Sequence, residues 1–340
     1  MSSKLHDVWS FSRTISLFKA FNAIKLIVSY YYSRLTGKPA PKGLPASMSI
    51  EPTTACNLRC PQCPSGLRSF TRPTGFIDLG LYQKIIDESA MHLAYLMLYF
   101  QGEPYLHPHF FDMVKYASDK KIYTATSTNG HFLSDAQAEA TVKSGLNRLI
   151  ISIDGSTQES YAKYRIGGSL NKVLEGAANL ARQKKILKSK KPYVIFQFVV
   201  FSHNEHEIAE ARQQAHAAGA DEIVFKTAQI YDYANGSELI PTQGTYSRYQ
   251  KSEQGGYEIK NKLMNHCWKL WHGCVVTRDG TVVPCCFDKD ATYEMGNLKT
   301  ETLQEIWYNE AYFNFRSHLM VSRKEIDICR NCTEGTKVWT

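Results

Sequence analysis

Met48-Ser-Ile-Glu51-Pro-Thr-Thr-Ala-Cys56-Asn-Leu-Arg-Cys60-Pro-Gln-Cys63 sets three cysteines, with three and then two residues between them, directly after a short apolar run. The run follows a proline-rich breaker, Lys38-Pro39-Ala40-Pro41-Lys42-Gly43-Leu44-Pro45, and reads as the first strand of a domain. In a chain without a secretory signal, thiols are more often metal ligands than disulfide partners. A structural zinc ion normally takes four ligands, yet the next cysteine is Cys267. Three thiolates suit a four-iron cubane instead, because they leave one iron open for an exchangeable ligand.

Outward from this stretch, apolar runs alternate with helical periodicity. Strands are predicted over 48–51, 95–100, 123–127, 148–153, 194–201 and 222–226. Helices are predicted over 79–89, 110–117, 135–144, a segment ending near 181, and 205–217. Strands that alternate with helices imply a parallel sheet covered by helices. Six units are too few for a closed eight-stranded barrel. The expected class is therefore α/β: a partial (β/α)6 TIM-like barrel with a small cysteine-rich C-terminal domain. The expected division is a basic helical extension over 1–45, a core over 46–230, a turn-rich connector over 231–262 and a metal-stapled domain over 263–340. That last domain should contain a hairpin around Arg278-Asp279-Gly280 and helices over 302–308 and 310–320. In such architectures chemistry sits where the strands end.

With 43% hydrophobic and 21% charged residues the chain has an ordinary globular composition, which excludes a disordered or fibrous protein. Most of its net charge of +8 lies in the extension, where Lys4, Arg13, Lys19, Lys25, Arg34, Lys38 and Lys42 face Asp7 alone. A charge confined there is not the distributed groove of a nucleic-acid channel, and no nucleic acid partner is expected. Residues 8–35 read as one helix. Its apolar stretch is too short to span a bilayer, and no cleavage site follows it, so the chain is expected in the cytoplasm. Two readings of this helix stand: packing on the domain that follows, or peripheral contact with an anionic membrane.

The cysteine spacing, after the first strand of a partial barrel, resembles the radical S-adenosylmethionine superfamily. The resemblance implies that Cys56, Cys60 and Cys63 hold a [4Fe–4S] cluster whose open iron is chelated by S-adenosylmethionine. It also implies a flavodoxin- or ferredoxin-type electron donor, and cleavage of the cofactor to methionine and a 5′-deoxyadenosyl radical that removes a substrate hydrogen atom. Gln101-Gly102-Glu103-Pro104 is similar to the family's Gly-Gly-Glu-Pro motif, whose main-chain carbonyls receive the cofactor's ammonium group; Gln101 replaces the first glycine. Ser127-Thr-Asn129-Gly130 and Ser152-Ile-Asp154-Gly155 resemble the segments that reach ribose and methionine, with Ser127, Asn129, Ser152 and Asp154 as contacts. Arg165 matches an arginine that pairs with the cofactor carboxylate. Gln62 stands where the family usually has an aromatic residue beside the adenine. Read singly, these segments are turns, caps and a surface cation; their order after successive strands makes them a cradle.

Cys267, Gly280-x4-Cys285 and Cys329-x2-Cys332 resemble the SPASM domain, an auxiliary-cluster module. The full pattern holds two clusters. This shorter set supports one, with Cys267, Cys285, Cys329 and Cys332 as ligands and an electron-transfer role. Cys286 is an alternative to Cys285, and Cys274, in an apolar run, reads as a buried thiol. Four thiolates also suit zinc, and the resemblance points to iron. Lys226 ends the sixth strand and, with Gln197 and Gln229, is the candidate to face the barrel mouth as a base or an anchor for an anionic substrate; a solvated lysine is the alternative. His107, His109 and His203 are read as solvent-facing. The extension is a helix rather than a recognition module, which favours a small-molecule or lipid-linked substrate over a peptide.

Overall fold

The computed structural model describes residues 3–338. The extension is two helices, not one: α1 (Ser3–Ser12) and α2 (Leu17–Thr36). Ser16 makes the break, because its hydroxyl caps α2 by accepting the Lys19 amide. At the other end Gly37 turns left-handed at φ 69° and returns its N–H to Ser33.

All six predicted strands form: β1 (Ser47–Ile50), β2 (Tyr95–Met97), β3 (Tyr123–Thr128), β4 (Arg148–Ser152), β5 (Tyr193–Val200) and β6 (Glu222–Thr227). The helices Leu79–Ser89, Phe110–Asp119 and Asp135–Lys143 follow the first three. A pair, Gln158–Tyr164 and Leu170–Ile186, follows β4, and Ile208–Ala217 follows β5. The chain gathers into two compact units, and the division cuts across the one expected from sequence.

One unit contains residues up to Trp9, 56–69 and 125–262. Here β4 lies parallel between β3 and β5, and β5 parallel to β6. The strands alternate: Leu149, Ile151, Phe196, Phe198 and Val200 are buried, whereas Ile150, Ile195, Gln197 and Val199 are only half-buried. The connector adds a hairpin, β7 (Tyr249–Lys251) with β8 (Tyr257–Ile259).

The other unit contains residues 10–55, 70–124 and 263–340. In it β1 runs parallel to β2 on one side and to β9 (Gly273–Val276) on the other. Antiparallel β10 (Thr281–Val283) and β11 (Gly296–Asn297) extend that edge. The tail is therefore not a free-standing module. Cys274-Val-Val is buried throughout, as expected of a strand covered on both faces, and burial pushes the Cys274 thiol up to about 12. Helix α2 belongs to the same unit. Its Tyr30 hydroxyl meets His266 Nδ1 at 2.9 Å, and the ring packs edge-on against Trp268 and Trp271.

Candidate active site

The loop after β1 turns back at Cys60, whose carbonyl accepts the Cys63 amide at 3.3 Å, and α3 (Pro64–Leu67) begins directly after. A side chain at Gly66 would lie 2.5 Å from the Cys60 backbone, so a glycine is required for this close approach. Cys60 is buried; Cys56 and Cys63 are half-buried.

Polar groups surround the sulfurs. The Leu58 amide points at Cys56 Sγ at 3.5 Å. Asn129 Nδ2 lies 3.8 Å from the same sulfur and donates to Asn57 Oδ1 at 2.7 Å. Arg165 Nη1 lies 3.9 Å from Cys60 Sγ, and its Nε donates to Asp154 Oδ2 at 2.5 Å. Burial pushes the Cys60 thiol up, and the Arg165 guanidinium opposes that shift by favouring thiolate. Three thiols ringed by an N–H, an amide and a guanidinium are a donor set that fits a three-thiolate cluster with one open iron.

The expected cofactor contacts divide in two ways. Asn129 and Arg165 gather at the cysteines. Asp154, expected in the segments that reach ribose and methionine, is fully buried and engaged: its Oδ1 accepts the Val199 amide at 2.7 Å and its Oδ2 accepts from Arg165. Ser127 and Ser152 are buried. Gln62 accepts the Tyr231 amide at 3.1 Å.

Register places Lys226. Ser152 pairs with Gln197 and Gln197 with Val224, while Val199 pairs with Lys226. Paired residues share a sheet face, as do residues two apart along a strand. Ser152, Gln197 and Lys226 are therefore on the half-buried face, with Lys226 exposed.

In the other unit, Gln101–Pro104 packs on the end of β1. Gly102 adopts φ 73°, and a Cβ there would stand 2.2 Å from the Thr53 carbonyl oxygen. The Glu103 amide donates to Ala55, the residue before Cys56, at 2.7 Å. The second glycine of the motif is thus compulsory, whereas the first position accommodates Gln101 with its side chain buried. Glu103 Oε1 caps the turn by accepting the Tyr105 amide, and Pro104 is buried.

The C-terminal cysteines converge. Cys267, Cys285, Cys329 and Cys332 line one cavity, while Cys286 is exposed and Cys274 lies elsewhere, in β9. Burial pushes the Cys285, Cys329 and Cys332 thiols up. Among the described residues, no three His, Cys, Asp or Glu side chains close on a single ion at either cysteine set.

Three features escape sequence reasoning. Glu51, at the end of β1, is fully buried in a bidentate pair with Arg72, both bonds 2.7 Å, and accepts the Arg278 amide at 3.1 Å. Arg323 is 1% exposed beside the C-terminal thiols. His107, read as solvent-facing, is buried with Nε2 on the Ile77 carbonyl at 3.0 Å. No local signal marks them: Glu51 and His107 meet partners more than twenty positions away, and Arg323 stands in a helical stretch whose pattern does not show that it folds back on Cys332.

Residues 50–215 match the Radical SAM superfamily, and residues 267–333 match SPASM, an iron–sulfur cluster-binding domain. The chain is 26% identical over 301 residues to the tungsten-containing aldehyde ferredoxin oxidoreductase cofactor-modifying protein of Pyrococcus furiosus, covering 78% of this chain and 82% of that one. Among solved structures it resembles BtrN in complex with AdoMet and 2-DOIA (TM-score 0.54, 19% identity, 88% of this chain and 97% of that one). It also resembles Streptococcus suis SuiB bound to precursor peptide SuiA (TM-score 0.62, 14% identity, 92% and 75%). These share its fold, so the expected class, a partial barrel with a cysteine-rich C-terminal region, holds. The chain carries a radical S-adenosylmethionine domain followed by a SPASM iron–sulfur domain.

Proposed function

We propose that Cys56, Cys60 and Cys63 hold the cofactor-binding [4Fe–4S] cluster, that Cys267, Cys285, Cys329 and Cys332 hold an auxiliary one, and that the enzyme takes a hydrogen atom from a small-molecule or lipid-linked substrate. When bound and reduced by a flavodoxin- or ferredoxin-type donor, the first cluster supplies reductive cleavage of S-adenosylmethionine to methionine and a 5′-deoxyadenosyl radical. The chain's own residues bind and orient. Arg165, held by Asp154, presents its guanidinium to the cofactor carboxylate. The Gln101–Glu103 carbonyls take the ammonium group, and Ser127, Asn129, Ser152 and Gln62 take the ribose and adenine. Lys226 and Gln197, on the face that carries Ser152, meet the substrate. The observation that carries this reading is the contact of the Cys60 thiol with the Arg165–Asp154 pair, with Cys63 within electrostatic reach of the same thiol.

The test is anaerobic reconstitution, an iron count and a 5′-deoxyadenosine assay with dithionite. The expected result is about eight irons per chain, falling to about four when Cys56, Cys60 and Cys63 become Ala, with deoxyadenosine only from the unmutated protein. No deoxyadenosine from a loaded, reducible first cluster refutes the catalytic assignment.

The exposed face of α2 supports peripheral contact with an anionic bilayer. Leu17, Phe21, Ile24, Val28, Tyr31 and Leu35 form an exposed helical stripe. Arg13, Lys25, Arg34, Lys38 and Lys42 are exposed nearby, and residues 8–50 contain no Asp or Glu. An apolar stripe flanked by cations alone fits an interfacial helix. No described helix is long and apolar enough to cross a membrane. Flotation with phosphatidylglycerol vesicles but not phosphatidylcholine vesicles, lost when Leu17, Phe21 and Val28 become Ser, is expected. Absence of flotation, or a concentration-dependent dimer lost in the same variant, overturns it.

A further inference from the structure

Arg323 is a buried cation with no carboxylate partner among the described residues. Its Nη1 donates to the His266 carbonyl at 3.0 Å and its Nη2 to the Glu334 carbonyl at 2.8 Å. The same Nη2 lies 3.3 Å from Cys332 Sγ, and the sulfurs of Cys267 and Cys329 are within its electrostatic reach. Nε is buried without an acceptor. The carboxylate of Glu334, whose carbonyl Arg323 meets, is paired with Lys269.

A guanidinium cannot shed its proton, so burying it unpaired is costly unless something anionic faces it. Carbonyls meet its geometry but not its full charge. The groups left to balance it are the sulfurs, and they do so only as thiolates, the form in which they bind metal. Backbone fixes the arrangement from both sides. The Arg323 amide donates to Asn265 Oδ1 at 3.1 Å, and the Glu334 amide points at Cys332 Sγ at 3.4 Å. Gly335, at φ 81°, approaches so closely that a Cβ would stand 2.3 Å from Cys267 Sγ. The cation is thus held against the sulfurs and shielded from water.

We propose that Arg323 is a positioning residue that sets the reduction potential of the auxiliary cluster. A fixed positive charge and a hydrogen bond at a ligand sulfur both favour the state carrying one more electron, so Arg323 raises the potential. The inference rests on the reading that the four C-terminal cysteines hold an iron–sulfur cluster.

The experiment uses the full chain with Cys56, Cys60 and Cys63 changed to Ala, so that only the C-terminal cluster is read. Iron is counted, and reduction by dithionite through mediators is followed by electron paramagnetic resonance. Arg323→Met and Arg323→Gln should retain iron but reduce at least tenfold less favourably, a fall of about 59 mV for one electron. Arg323→Lys, which keeps the charge, should recover most of that fall. An iron-loaded Met or Gln variant at the unmutated potential overturns the proposal. If Met and Gln lose iron while Lys keeps it, the charge serves retention and the redox role is overturned. A parent protein carrying zinc and no iron would instead sink the auxiliary-cluster reading, and this inference with it; the iron count separates the two failures.

Discussion

Gly102→Ala is the sharpest test of the turn after β2. At φ 73° an alanine costs roughly 1 kcal/mol in the left-handed region before any contact is considered. Its Cβ would then stand 2.2 Å from the Thr53 carbonyl oxygen and 2.9 Å from that of Ala55. Both neighbours are backbone, so no side chain can swing away. Relief requires the two segments to part by about 1 Å, which breaks the 2.7 Å bond from the Glu103 amide to Ala55 at a further cost of about 1 kcal/mol. The loss is about 2–4 kcal/mol once packing strain is included. Ala55 is bonded to Cys56, so the displacement reaches the first cysteine through the chain, and a shift of about 1 Å at a reacting centre lowers rate by about 100-fold. The assay is single-turnover deoxyadenosine formation, with the iron count and the thermal midpoint measured on the same sample. Gln101→Gly is the control: it installs the family's residue, adds no Cβ and should stay near the unmutated rate. If Gly102→Ala keeps both its rate and its midpoint, the compulsory-glycine argument is wrong.

Other perturbations read different parts of the molecule. Arg165→Lys keeps charge but loses the planar fork, so affinity for S-adenosylmethionine, measured by equilibrium binding to the iron-loaded protein, should fall about 10- to 100-fold. Asp154→Asn leaves Arg165 buried without its counter-ion and should cost about 3–5 kcal/mol in denaturant unfolding, beyond its effect on cofactor binding. Glu51→Gln should cost about as much by stranding Arg72, while Glu51→Gln combined with Arg72→Met should cost less than Glu51→Gln alone. Lys19, 4% exposed with Nζ on the Lys121 carbonyl at 2.6 Å, has its pKa lowered by burial to about 8, against about 10.4 in an unfolded chain. Between those values the unfolded chain binds more protons, so stability rises with pH there, and below about 8 the burial penalty is complete. The thermal midpoint of the unmutated protein should gain on that of Lys19→Met from pH 8 to 10; a constant difference refutes the linkage.

The strands were legible because each is a short apolar run between helical periods, and β3 to β6 kept their predicted ends within a residue or two. The cysteine loop and the Gly102 turn were legible for a different reason: their chemistry is local, fixed by spacing and by one glycine. What was hidden is pairing over distance. The parallel seating of β9 against β1 joins residues more than two hundred positions apart, and an apolar run such as Cys274-Val-Val carries no mark of its neighbour. The break at Ser16 was hidden by its surroundings, since apolar residues continue on both sides and the capping hydroxyl is one polar group among Ser12, Arg13 and Thr14.

The arginines show why residue type alone does not give a role. Arg72, Arg165 and Arg323 look alike in sequence, and all three have the long, charged side chains usually left in water. Each is instead covered, and what covers it decides its work. Arg72 meets both oxygens of Glu51, so its charge is balanced locally and the pair ties the loop to β1. Arg165 gives Nε to Asp154 and leaves Nη1 directed at Cys60, balanced yet still able to receive a carboxylate. Arg323 meets carbonyls and sulfur only. A buried cation is tolerable only beside negative charge. The same residue type therefore stands in three electrostatic settings, with a full carboxylate pair, a shared carboxylate or none, and the setting rather than the residue type decides what it can do.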